Sequence, residues 1–356
     1  MPTACIDTEG TEYSFMDSGP VAGSSDYTTL VIYHGTVFNG ESFRKLFPLL
    51  NTTLNNTRLI VVSRRSYGES AKHTEAEIAK LAQGSSSEFL EVLAQDVANF
   101  LIWIINNLDI PRIGAERKSG GLAIVGWSAA TSTTLALLGQ PQAIPKESYD
   151  KIEPYLRKLI IYGSDSPLMA FGYDFPPEPY NPLIDQASFE SLQEWLDHLN
   201  IWFSSYYSHP DTPSRALSGL DTTSRRGDQT TMDRLTEQEK ETFIEATAVA
   251  AGADLGAAPY PVVQGAVKEQ TERALFDAEI LPSVLPLVTV EYITCLSTNW
   301  VCLWGFFETE RIYRELVAKN KKIRPAHFIA IKGANHFVHF DAPEKFGEAI
   351  VKALMK

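Results

Sequence analysis

The residues best placed to do chemistry are Gly126-Trp127-Ser128-Ala129-Ala130. They stand directly after an apolar, β-rich run, Leu122-Ala123-Ile124-Val125, and directly before a helical stretch from Ala129 to Leu138. A serine at such a junction must sit on a strained turn that lifts its hydroxyl clear of the sheet. Small residues two positions to either side, Gly126 and Ala130, let strand and helix approach without collision. The same turn aims the Ala129 N–H, at the positive end of the helix, toward the place where a tetrahedral oxyanion would form. The plainer alternative is a serine that only caps the helix; the strand before and helix after it favour a nucleophile.

A serine hydroxyl is a poor nucleophile at neutral pH, so a histidine must take its proton and return it to the leaving group. Of the seven histidines, His336 lies in the turn between the last predicted strand and the last predicted helix, which points it to the same sheet edge as Ser128. His339 falls nearer the helix start and is expected to pack or face solvent. His34 is expected to hydrogen-bond within its loop, and His73, His198, His209 and His327 have no motif around them. Asp341-Ala342-Pro343-Glu344 has the form of a helix-capping box with proline just inside, so a structural role is expected for Asp341.

The elements that must carry these groups follow the alternation of a parallel sheet wrapped by crossover helices. Strands are expected at Leu30–Tyr33, Arg58–Val62, Leu122–Val125 and Leu159–Tyr162, with a helix from about Glu41 to Leu50. In a long helix from Ser86 to Leu108, Phe89, Leu93, Val97, Phe100, Ile104 and Leu108 recur at steps of three and four and form one buried stripe. From about Ser166 to Leu285 strand signals vanish, and helical stretches appear near Ser188–Tyr207, Thr236–Ala251 and Val267–Phe276. The sheet rhythm then resumes with Val288–Ile293, a helix around Glu310–Ala318, the strand His327–Ile331 and a last helix from Ala342. An insertion of about 120 residues is too long for a loop and must bury its own apolar faces, most simply over the carboxyl ends of the strands. The expected organisation is an α/β core at residues 1–165 and 286–356 with a helical cap at 166–285.

Composition narrows the function. The 356 residues are 44% hydrophobic and 11% aromatic, enough for a packed core, and 31 basic against 44 acidic residues give a net charge of -13. That charge repels nucleic acid and anionic membrane, so neither is expected as a partner. Cys5, Cys295 and Cys302 lack metal-site spacing and read as buried or incidental thiols. The start, Met1 to Asp7, has no basic segment followed by an apolar run, and no apolar stretch is long enough to span a bilayer, so a soluble, cytoplasmic protein is expected. The sequons at Asn51 and Asn55 are then read as chance matches in a polar loop.

Taken with two further motifs, the chain resembles an α/β-hydrolase from about Leu30 to its carboxyl terminus. His34-Gly35-Thr36 follows the first long strand as the His-Gly of that superfamily does, and Gly333 to Glu344 is similar to its terminal histidine motif. The likeness implies Thr36 N–H as the second oxyanion donor, with Val37 the lesser choice, and no cofactor. Ser63 to Ser70, Asp165-Ser166-Pro167 with Phe171-Gly172-Tyr173, and Trp202 to Pro210 resemble a group of fungal, mostly basidiomycete, hydrolases. That closer likeness fixes no substrate.

The third member of a triad must hold the histidine in one tautomer and stabilise the imidazolium. In many hydrolases of this fold it follows the strand after the cap, but that turn reads Cys295-Leu296-Ser297-Thr298-Asn299-Trp300 and holds no carboxylate. The other placement is one strand earlier, where Leu159 to Ser164 runs straight into Asp165. Asp165 is therefore the expected acid, with Glu308, Asp174 or a neutral group such as Asn299 left open.

The expected activity is hydrolysis of a carboxylic ester of a small, largely apolar molecule through an acyl-enzyme; a thioester or lactone would use the same parts. Trp202 and Tyr206 are expected to help roof the pocket among the aromatic residues of the cap, and Trp127 to lie beside the nucleophile. Arg64 and Arg65 are expected to form fold-holding salt bridges. Two other classes stay open: an acyltransferase or lyase on the same triad, and a ligand-binding protein on a hydrolase scaffold.

Overall fold

A computed structural model describes residues 1–82, 86–163 and 179–356, the side chains of 260 and 261 excepted. Eight strands, β1 (Thr3–Cys5), β2 (Glu12–Asp17), β3 (Thr28–Tyr33), β4 (Thr57–Val62), β5 (Leu122–Trp127), β6 (Leu156–Tyr162), β7 (Thr289–Cys295) and β8 (Ala326–Ile331), form one sheet in the order β1-β2-β4-β3-β5-β6-β7-β8. Pairing is parallel from β4 through β8, and only the β1–β2 and β2–β4 contacts are antiparallel. Every residue of β3, β4, β5 and β6 is buried, as expected of strands covered on both faces. The sequence reading starts the sheet at Leu30 and passes over β1 and β2.

The longer helices are α1 (Ser86–Asn107), α2 (Ala130–Gly139), α3 (Leu192–Ser204), α4 (Tyr260–Leu275), α5 (Trp300–Ala318) and α6 (Pro343–Met355). The stripe predicted for α1 is buried from Phe89 to Ile104. Between β3 and β4 the expected helix is instead a tight 3-10 turn, Gly40–Leu46, followed by a single turn, Phe47–Leu50. Pro48 explains the difference: it lacks the N–H that would continue an α-helix there. The helix expected near Glu310 starts ten residues earlier, because Asn299 Oδ1 caps it by accepting from Cys302 N at 3.1 Å. Its first turns are buried nearly all round and so lack an amphipathic stripe.

The connection β3→β4 runs one way along the sheet and β4→β5 runs back the other way. With right-handed crossovers that reversal opens a crevice at the carboxyl ends of β3 and β5. Among the described residues, the long β6–β7 connection holds helices and 3-10 turns but no sheet strand. It divides in two. The α4 helix joins the core layer against α1 and α2: Gln270 Nε2 donates to Ser132 O at 2.8 Å, and Gly139 lets the two helices touch where a Cβ would strike the Gln270 backbone. Within the expected 166–285 segment, α4 thus packs on the core layer.

Candidate functional site

Gly126, next to last in β5, lies so close to the next helix that a Cβ there would meet Thr134 Oγ1 and stand 2.6 Å from Ala130 O, which is why the turn needs a glycine. Ser128 has a left-handed backbone, φ 53°, a conformation costing about 1–3 kcal/mol that persists only when its surroundings impose it. Here the Ser128 N–H is tied to Tyr162 O at 2.9 Å, while the first turn of α2 closes through Thr131 N–H donating to Ser128 O at 2.9 Å. Ser128 does not cap that helix. Its hydroxyl makes no hydrogen bond among the described residues, to His336 included, and opens into a cavity.

That cavity contains about 450 Å³ not filled by protein atoms, its open mouth included. Its floor is Gly35, Thr36, Val37 and Phe38 after β3, Trp127 at the end of β5 with Ser128 just beyond it, and His336 and Phe337 after β8. Its roof is Leu183, Leu199, Asn200, Phe203 and Gly256 from the β6–β7 connection. The structure thus brings Ser128, His336, Trp127 and Thr36 together. Trp202 and Tyr206 are not among the lining residues. Trp202 is wholly buried, and Tyr206 donates its hydroxyl to Asp341 at 2.7 Å. Neighbouring helical positions point about 100° apart, so Phe203 and, a turn earlier, Leu199 and Asn200 present the cavity face of α3 in their place.

His336 is buried and held from two strands: Tyr162 Oη donates to its carbonyl at 2.9 Å and Trp127 Nε1 at 3.3 Å. Its ring stands 5.3 Å from that of Trp127 and 5.1 Å from that of Phe203. Nδ1 faces Gly163, where a Cβ would lie 3.1 Å away, and Cys302 Sγ at 3.8 Å, which leaves Nε2 for the cavity. Burial pushes the imidazole down to about 3, so it is neutral and able to accept a proton at pH 7. Catalytic hydrogen bonds are often long in an empty site and tighten once substrate is bound.

The acids fall differently. Asp165 and Asp174 lie outside the described residues, as do Ser166-Pro167 and Phe171 to Tyr173. Glu308 pairs with Arg311 one turn along α5, and Asn299 is spent as that helix's cap. Asp341 does not form the capping box read from the sequence: the first turn of α6 has no side-chain cap, and Asp341 Oδ2 accepts from Tyr206 and Thr231, each at 2.7 Å. Its structural role is to tie the β6–β7 connection to the histidine-bearing loop. His339 packs flat on Phe43, ring centroids 4.0 Å apart, with Nδ1 2.9 Å from the Tyr162 hydroxyl. His34 bonds within its own neighbourhood, to Gly35 O and Arg64 N.

The Thr36 and Ala129 amides belong to the segments that adjoin Ser128. Gly35, just before Thr36, is pressed so close that a Cβ would stand 3.1 Å from that of Ser128. Neither Thr36 N–H nor Ala129 N–H donates to any described acceptor, whereas Val37 N–H is taken by the Tyr67 hydroxyl at 3.1 Å. A group missed by the sequence reading fixes this loop. Asp254, wholly buried, accepts from Thr36 Oγ1 at 2.9 Å, Arg64 Nη2 at 2.7 Å and the Tyr67 hydroxyl, and Arg64 also reaches Gly35 O at 2.8 Å. Burial alone would raise the Asp254 carboxyl; Arg64 and Tyr67 hold it below the ordinary carboxylate range. Arg65 pairs with Glu77 at 2.7 Å, so both arginines serve the fold. No local pattern marks Asp254, which acts on a residue 218 positions away.

Among the described residues, no cluster of three His, Cys, Asp or Glu side chains could hold a metal ion, and no helix is long and apolar enough to cross a membrane.

A mostly parallel sheet with a serine on a left-handed strand-to-helix turn and a histidine after the last strand defines the α/β-hydrolase class. The sequence matches the alpha/beta hydrolase family over residues 30–349, and the chain belongs to that family. Its fold is similar to a bromoperoxidase from Bacillus anthracis, at 16% identity and TM-score 0.54, covering 100% of this chain and 99% of that one. It is also similar to an esterase from Exiguobacterium antarcticum, at 17% identity and TM-score 0.51 with 100% of both chains covered. A lipase-esterase related protein from Clostridium acetobutylicum aligns at 12% identity and TM-score 0.51, over 96% and 98% of the two chains. No protein of curated function matches the sequence.

Proposed function

We propose that the protein is a serine hydrolase that cleaves a carboxylic ester of a small, largely apolar molecule without a cofactor. The observation that carries this is the unpaired hydroxyl of Ser128, on a left-handed turn and sharing one cavity with a neutral His336, while the Thr36 and Ala129 amides on the adjoining segments have no described acceptor. Ser128 Oγ attacks the ester carbonyl as its proton passes to His336 Nε2, and the oxyanion is held by Ala129 N–H and Thr36 N–H. Collapse breaks the bond to the alcohol, which leaves with the proton from His336; water then repeats the sequence on the acyl-enzyme and frees the acid. Asp165 follows two residues after Gly163, against which Nδ1 rests, and supplies the carboxylate that a desolvated imidazolium requires. The connection ahead of α4 acts as a cap, and its Leu183, Leu199 and Phe203 favour apolar substrate groups.

The test is p-nitrophenyl ester turnover. A burst of one p-nitrophenol per active site is expected, and Ser128→Ala should lower kcat by ~10⁴-fold or more; equal turnover by the variant contradicts the assignment.

A further inference from the structure

Resting on that reading, we infer that Asn200 is a specificity-determining residue and that the substrate carries an uncharged hydrogen-bonding group, a hydroxyl or a ketone carbonyl, apart from the ester itself. The observation is a carboxamide without partners in an apolar wall. Asn200 is only 8% exposed, lines the cavity, and makes no side-chain hydrogen bond among the described residues. It lies three positions before Phe203, hence on the same face of α3 and one turn further from the histidine that Phe203 faces.

Among the described residues the other polar lining side chains are already assigned: Ser128 and His336 to the reaction, and the Thr36 hydroxyl to Asp254. The Asn200 amide atoms stay open to the cavity, where water satisfies them when the site is empty; a bound group that displaces that water without replacing its hydrogen bonds leaves them unpaired, at a cost of about 1–3 kcal/mol. A carboxylate is a poorer fit, because no lysine or arginine is among the described lining residues and the nearby Arg64 is neutralised by Asp254. A purely alkyl group would leave the carboxamide desolvated and unpaired, and a site built this way discriminates far more sharply than an apolar pocket sorting by size.

The experiment uses p-nitrophenyl esters matched in chain length, one alkyl, one carrying a ketone and one a hydroxyl, in both wild type and Asn200→Leu. The wild type is expected to favour the ketone and hydroxyl esters over the alkyl ester in kcat/KM by about tenfold or more, and Asn200→Leu to reverse the order. Asn200→Asp, closest in shape, should lose the ketone ester while keeping the hydroxyl ester, since a carboxylate accepts but does not donate. An alkyl-to-polar ratio unchanged within about twofold in both variants overturns the inference. Calorimetric binding of the same esters to Ser128→Ala, with and without Asn200→Leu, reads the preference with no turnover. No polar preference in Ser128→Ala alone, or a preference that Asn200→Leu leaves unchanged, contradicts the role of Asn200, whereas undiminished turnover by Ser128→Ala contradicts only the hydrolase reading.

Discussion

The floor of the cavity rises from β3 and β5, strands buried at every position, and its reacting groups sit within a few residues of strand ends. The roof comes from the β6–β7 connection and is joined to the floor by apolar packing, by backbone hydrogen bonds such as Glu245 N–H to Val37 O, and by buried polar contacts that include Asp254 with Thr36 and Arg64, Asp341 with Tyr206 and Thr231, and Asn335 with Ser204 and Thr231. The contrast separates two jobs. A frame of hydrogen-bonded strands holds the reacting groups, while a roof built of helices and turns can change its lining side chains, and so its substrate, without disturbing that frame.

Changes to the floor should therefore reduce turnover of every ester alike, and changes to the roof should alter which ester is preferred. The largest effect below loss of the nucleophile is expected at the acid: Asp165→Asn should slow p-nitrophenyl ester turnover by roughly 10³-fold or more. A drop below about threefold would remove Asp165 from the triad and leave the imidazolium to other groups.

Asp254→Asn tests whether an anchor of the roof governs the floor. It frees the loop bearing the Thr36 amide and leaves Arg64 buried without its counter-charge. We expect kcat to fall by about 10²-fold with KM little changed, and the urea midpoint to report a loss of about 3 kcal/mol. A rise in KM alone would show that the anchor serves binding and not the oxyanion.

The last effect falls on stability alone and concerns pH. Burial pushes both His34 and His336 down to about 3, so each is neutral in the folded chain where an unfolded histidine would be charged. The unfolded state then binds more protons between the unfolded value, about 6.5, and about 3, and stability rises with pH across that window. Each histidine should remove up to about 1.4 kcal/mol per pH unit as the solution is acidified below 6.5. Urea midpoints that stay flat from pH 7 to pH 4 would contradict this burial.

The same contrast explains what could be read from residues alone. The elbow is legible because its requirements are local: a strand, a helix and small residues two positions away. His336 is legible because the last strand and last helix bracket it. The roof is not. Aromatic residues surround the end of α3, so their spacing does not tell Phe203, which faces the cavity, from Trp202, which does not; only packing against the sheet decides. Asp341 carries a capping pattern that tertiary partners override, and Asp254 and Cys302 meet their partners across long stretches of chain with no sequence signal between them.

The account turns on Ser128 being a nucleophile activated by His336. A fluorophosphonate probe followed by peptide mass spectrometry measures that directly. The predicted result is one adduct per chain, on Ser128, absent in Ser128→Ala and strongly slowed in His336→Ala. An adduct on another residue, or labelling of Ser128 at an unchanged rate without the histidine, would contradict it.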